Sequence, residues 1–125
     1  MSALPTARPR NPVLPATEFI PDVEARVWQD GRLYFYGSYD IRGQAWYCSD
    51  QYHVYSTDDW VHWIDHGVSF RVADVPWVRD AALYAPDCVF ANGRYHLFFC
   101  LSDGSEGVAA ADSPAGPSIL VAATQ

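Results

Sequence analysis

The sequence predicts an all-β fold built from two similar units, and three observations carry that prediction. Apolar segments are short, rich in aromatic and β-branched residues, and bounded by Gly, Pro, Asp and Asn, while helical periodicity is weak throughout. Asp30-Gly31 and Asn92-Gly93 are dipeptides of the type that closes a tight hairpin, because both positions tolerate φ > 0. Pro21-Asp22 recurs as Pro86-Asp87, each followed by a strand, a Gly-Arg turn and an aromatic strand, with LYFYG matching YHLFF. Four strands per unit at a period of about 60 residues is the pattern of a β-propeller blade. Two unrelated hairpins in a small sandwich are the plainer alternative.

The chain divides accordingly. Residues 1–20 carry four prolines between Met1 and Pro15 and read as an extended arm. That stretch has neither an apolar h-region nor an A-x-A cleavage site, so a cytoplasmic protein is expected. Residues 21–125 hold the blades, about 21–70 and 84–125. Strands are expected at Val23–Trp28, Arg32–Gly37, Tyr52–Ser56 and Val61–Ile64, then at Cys88–Ala91, Arg94–Leu101, Gly107–Ala111 and Ile119–Ala123. A propeller closes with at least about four blades. A lone pair leaves a blade face open, so the chain is expected to be part of a longer protein or to associate with copies of itself. ILVAATQ, ending in mid-strand, fits the first case.

Charge narrows the partners. Eight arginines and no lysine stand against fifteen acidic residues, for a net charge of −7. Such a surface repels phosphate backbones and anionic lipid heads, and no apolar run is long enough to span a bilayer. Nucleic acid and membrane are excluded as partners; a neutral substrate handled by carboxylates fits. The odd cysteine count (Cys48, Cys88, Cys100), without C-x-x-C spacing, points to reduced, mostly buried thiols.

Asp22 and Asp87 are the candidate catalytic pair. First strands of propeller blades line the central channel, so the residues leading them converge at one mouth. Paired carboxylates there suit glycoside hydrolysis, one acting on water and one near the leaving oxygen. Their bland reading is that each caps a turn after proline. Asp40 and Trp77 are candidate substrate contacts, the first against a solvated loop Asp, the second as a flat face for a sugar ring. Trp46 sits in a similar loop, whereas Trp28, Trp60 and Trp63 read as inter-blade packing. His62 and His66, with His53 nearby, have a zinc-like spacing only on a helix; on strand and turn they would not converge, so no metal site is assigned.

NPVLP, FIPDVEARVW, GRLYFYGSYD, YHVYSTDDWVHWIDHGV, YAPDCVFANGRYHLFF and GVAAADSPAGP, in that order from Asn11 to Pro117, resemble glycoside hydrolase family 43. The resemblance implies a five-bladed propeller and an inverting hydrolase of α-L-arabinofuranosides or β-D-xylosides. It makes Asp22 the general base and Asp87 the carboxylate that orients the acid and tunes its pKa. The general acid, a Glu, belongs to a later blade and has no counterpart here. Glu106 is not at the acid position, Glu18 lies in the arm, and Glu24 shares a strand face with Asp22. An inverting pair must straddle the sugar about 6.5–9.5 Å apart. No cofactor is required; an ion in the channel of the complete enzyme would take its ligands from outside this chain. Val23 stands where the family usually has Pro, Tyr39 where His is common, and Tyr84 where Trp often precedes A-P-D. The expected function is thus an incomplete glycosidase, inactive alone, with an oligosaccharide or glycoside as substrate. The alternative is a non-catalytic carbohydrate-binding β-module that forms homo-oligomers through its open blade faces.

Overall fold

The structure, a computed structural model, describes residues 7–124; the first six residues of the predicted arm and Gln125 lie outside them. Two four-stranded antiparallel sheets follow one another along the chain. The first contains β1 (Glu24–Val27), β2 (Leu33–Gly37), β3 (Gln51–Thr57) and β4 (Ile64–Arg71). The second contains β5 (Asp87–Ala91), β6 (Arg94–Cys100), β7 (Glu106–Ala111) and β8 (Ile119–Ala123). Each sheet keeps its strands in chain order, the up-and-down meander of a propeller blade. The all-β, two-blade reading therefore holds. One 3₁₀ turn, Val72–Asp74, leads into the connection between blades. Among the described residues no helix is long and apolar enough to cross a membrane.

The two leading hairpins differ. Ala91 pairs directly with Arg94, so Asn92 (φ 52°) and Gly93 (φ 75°) form the expected two-residue turn with both positions left-handed. In the first blade Val27 pairs with Leu33, and residues 28–32 form a longer connection. Gly31 alone is left-handed there, at φ 75°. The Asp30 carboxylate accepts from the Arg32 N–H at 3.0 Å and from the Tyr34 hydroxyl at 2.7 Å, which holds the wider loop.

The fourth strand lies later than the sequence predicts, at Ile64–Arg71 rather than Val61–Ile64. Asp59 Oδ1 accepts from the N–H groups of Val61 (2.8 Å) and His62 (2.7 Å), while Thr57 Oγ1 donates to the His62 carbonyl at 2.6 Å. Trp60 takes φ 65°. These bonds curl Val61 to Trp63 into a turn, and pairing with β3 begins only at Ile64 opposite Ser56.

The core lies between the sheets. Strand alternation sends Tyr34, Tyr36, Tyr52 and Val54 from the first blade against Cys88, Leu97, Phe99 and Ala109 of the second. Phe70 and Phe99 meet with ring centroids 4.8 Å apart. Trp28 bridges the blades: its ring lies 5.3 Å from Tyr95, and its Nε1 donates to Tyr36 Oη at 2.9 Å. Burying each such aromatic contributes about 2–3 kcal/mol. Trp60 is instead exposed in its turn beside the arm, and Trp63 packs on Phe35 on the opposite face of the first sheet. That face is overlaid by the arm from Pro12 to Ile20, anchored where the Tyr55 hydroxyl donates to Glu18 Oε2 at 2.6 Å. The face of the second sheet turned away from the first leaves Val89, Phe98, Ile119 and Val121 exposed.

Candidate active site

Antiparallel order brings the start of β1, the end of β2 and the start of β3 to one end of the first sheet. The approach to β5 meets that same end: the Leu83 N–H donates to the Ser49 carbonyl at 2.8 Å, and the Tyr52 hydroxyl donates to the Tyr84 carbonyl at 2.5 Å. Asp22, Asp40 and the segment leading to Asp87 are therefore gathered at one end of the pair of blades.

Asp22 is exposed and left-handed, with φ 54°. A non-glycine residue there carries strain, least for Asp and Asn, and such strain gathers at functional sites. The neighbouring backbone holds it in place: the Pro21 carbonyl accepts from the Ser38 N–H at 3.1 Å and from its hydroxyl at 3.2 Å. Gly37 lets the strands close up, since a Cβ there would sit 2.8 Å from the Pro21 carbonyl oxygen.

Asp87 is half-buried and bound. Its Oδ1 accepts from Arg26 Nη2 at 2.8 Å and from the Cys88 N–H at 2.6 Å. Arg26 also reaches the Cys88 carbonyl at 3.2 Å through Nε and pairs with Glu24 Oε1 at 3.2 Å. The hydrogen bond to Asp87 raises the Arg26 pKa above its ordinary value, so this cation is fixed. Glu24 is thus engaged on the face it shares with Arg26. The sequence reading passed over Arg26; its signal was the alternation Asp22, Glu24, Arg26, which places a cation on the carboxylate face of β1.

Asp40 has a structural task. Its Oδ1 accepts from the Cys48 N–H at 2.6 Å, and its own N–H donates to the Phe19 carbonyl at 2.9 Å, so it closes the loop 41–47. Burial pushes the Cys48 thiol pKa up, against a hydrogen bond with Ser38 that lowers it. All three cysteines are free thiols. Trp77 is exposed beyond the 3₁₀ turn and does not line the open cleft beside Cys48. Trp46, Tyr47 and Tyr84 do.

Each of the three histidines His53, His62 and His66 has its own partner. His53 Nδ1 lies 3.0 Å from Asp65 Oδ1 under the stacked Tyr39 ring, His62 Nδ1 lies 2.6 Å from Asp59 Oδ2, and His66 Nε2 lies 2.7 Å from Ser56 Oγ. Among the described residues no three His, Cys, Asp or Glu side chains come together as a metal site.

Comparison with known proteins points one way. The model of glycosyl hydrolases family 43 matches residues 9–119. A xylosidase/arabinosidase of Thermoclostridium stercorarium is 42% identical over 113 residues, covering 85% of this chain and 24% of that protein. Xylosidase/arabinosidase 43A of Humicola insolens is 37% identical over 111 residues, covering 77% of this chain and 33% of that protein. Among solved structures, the GH43_1 enzyme of Xanthomonas citri superposes with a TM-score of 0.74 at 31% identity, covering 87% of this chain and 34% of that one. A GH43 β-xylosidase/α-arabinofuranosidase from a compost microbial metagenome, in complex with xylotriose, gives a TM-score of 0.72 at 32% identity, covering 87% and 36%. The chain spans about a quarter to a third of the length of these relatives.

Proposed function

The chain belongs to glycosyl hydrolase family 43, and on that premise we propose that its first blade supplies the general base of an inverting glycosidase acting on β-D-xylosides or α-L-arabinofuranosides. The observation that carries this reading is Asp22, an exposed carboxylate on a strained backbone at the entrance to β1. Asp22 takes a proton from water as the water oxygen bonds to the anomeric carbon. The bond to the leaving oxygen breaks on the opposite face, and that oxygen receives its proton from a carboxylic acid outside this chain. A net charge of −7 agrees with a neutral glycoside. The purified 125-residue chain is expected to show no turnover of nitrophenyl xyloside or arabinofuranoside. Grafted in place of the matching segment of a homologous full-length xylosidase/arabinosidase, it gives an active enzyme that loses about 10²–10⁴-fold in kcat on Asp22→Asn. Asp22-dependent turnover by the short chain, or an active Asp22→Asn graft, would contradict the reading.

Asp87 fits the carboxylate that steers the acid, its Oδ1 paired with Arg26 Nη2 at 2.8 Å. The same ion pair favours a second reading, a tie between the first strands of the two blades. The graft separates them. A steering role shifts the acidic or basic limb of the pH–rate profile in Asp87→Asn. A tie costs about 0.5–1 kcal/mol of stability, shared with Arg26→Met in a double-mutant cycle, and leaves the profile in place.

A further inference from the structure

Arg26 lies on β1, the strand that Asp22 leads, yet its guanidinium is spent mainly on the first two residues of β5. Nη2 reaches Asp87 Oδ1, Nε reaches the Cys88 carbonyl, and Nη1 pairs with Glu24, so every nitrogen of the group is engaged. Resting on the glycosidase reading above, we propose that Arg26 is a positioning residue of the site. It sets which oxygen of Asp87 is offered to the general acid, and it fixes that oxygen relative to the strand that carries the base.

The grip is on a chain segment as well as on a charge. Nε and Nη2 form a planar fork that spans the Asp87 carboxylate and the Cys88 carbonyl together. Cys88 is buried in the core between the sheets, at 2% exposure, so the fork closes on a fixed backbone. Glu24, on the same face of β1, holds Nη1 and keeps the guanidinium from turning. Lysine, a point charge on a flexible stem, cannot hold both β5 acceptors at once.

The two oxygens of Asp87 are not equivalent. Oδ1 accepts from Arg26 Nη2 at 2.8 Å and from the Cys88 N–H at 2.6 Å. Among the described residues no donor reaches Oδ2, so one oxygen is occupied and the other is open. An open carboxylate oxygen accepts from the O–H of a carboxylic acid, and a bond of that kind directs the proton. Magnitude separates orientation from stability. The Arg26 and Asp87 side chains are 34% and 47% exposed, and an ion pair so accessible to water adds little to stability. What converging donors supply on one carboxylate is direction. β1 thus has the candidate base at its entrance and, within it, the clamp on the second carboxylate.

The grafted enzyme tests this with two aryl β-D-xylosides. Phenolate leaves slowly without a proton from the acid, whereas dinitrophenolate departs without one. Arg26→Met is expected to lower kcat on phenyl β-D-xyloside at least about tenfold, while kcat on the dinitrophenyl substrate and KM for both stay within about threefold. Arg26→Lys recovers part of that loss, and it makes the same comparison if the Met variant does not fold. A residue that only ties the blades together cannot tell one leaving group from the other. Equal losses on the two substrates, or no loss on the phenyl substrate, would therefore overturn the proposal. Asp22→Asn in the same graft distinguishes the two failures, since loss of the base slows both substrates. Slow turnover by Asp22→Asn beside an indifferent Arg26→Met removes the positioning role alone. An Asp22→Asn graft as active as its parent on both substrates removes the glycosidase reading and the proposal with it.

Discussion

Ser56, His66 and Arg32 meet at one hydroxyl. Ser56 Oγ accepts from Arg32 Nη2 at 3.0 Å and lies 2.7 Å from His66 Nε2, so the imidazole sits beside a fixed cation. Burial, and after it the Arg32 charge, lower the His66 pKa below its ordinary value. A histidine depressed in the folded state binds its proton more readily when unfolded, so the fold loses stability as pH falls below about 6.5. His62 runs the other way: its hydrogen bond to Asp59 raises its pKa. The stability it lends is complete below the unfolded value and is lost as pH rises through the folded one. Substituting His66 alone separates the two. Between pH 7.5 and 5.5 the parent is expected to lose more stability than His66→Gln. Denaturant melts at both pH values check this, and parallel losses would contradict it.

Elements were legible where a side chain's preference acts locally, and misplaced where a side chain reaches several residues along the chain. Asn92-Gly93 reads correctly because both residues themselves adopt positive φ. Asp30-Gly31 has the same letters, yet the Asp30 carboxylate spends itself on Arg32 and Tyr34 and opens the hairpin to five residues. The fourth strand was set too early for the same kind of reason: Val61 and Trp63 look like strand residues, but Asp59 and Thr57 hold their backbone in a turn. The hairpin makes a prediction at this scale. Asn92→Ala forces a methyl-bearing residue into the left-handed region and lowers stability by about 1 kcal/mol, whereas Asn92→Gly is near neutral. Equal melting temperatures for the Ala and Gly variants would show that the turn is not left-handed at Asn92.

At the scale of the whole molecule, repetition made the architecture readable and hid the site's contacts. Repeated Pro-Asp leads and aromatic hairpins define two blades, and alternation along β2 and β6 places the core between them. What joins the blades is not periodic. Arg26 to Asp87, Tyr36 Oη to the Pro114 carbonyl at 2.6 Å, and Trp28 to Tyr95 link residues roughly 60–80 positions apart, which no local pattern announces. The cleft was equally hidden, because Trp46 and Tyr84 come from different blades, brought together by the Leu83–Ser49 backbone bond and the Tyr52 hydroxyl on the Tyr84 carbonyl. The two outer faces differ as well: the arm overlies the first, while Phe98 and Val121 remain bare on the second.

The central claim, that Asp22 activates water, is open to a test that the backbone itself makes clean. At φ 54° glycine fits without strain, so Asp22→Gly removes the carboxylate and keeps the fold. The deciding measurement is turnover of nitrophenyl β-D-xyloside by the grafted enzyme and its Asp22→Gly variant, with and without azide. The account predicts a loss of at least about 100-fold at an unchanged melting temperature, partly restored by azide with release of the inverted glycosyl azide. An Asp22→Gly enzyme within threefold of its parent and indifferent to azide would contradict it.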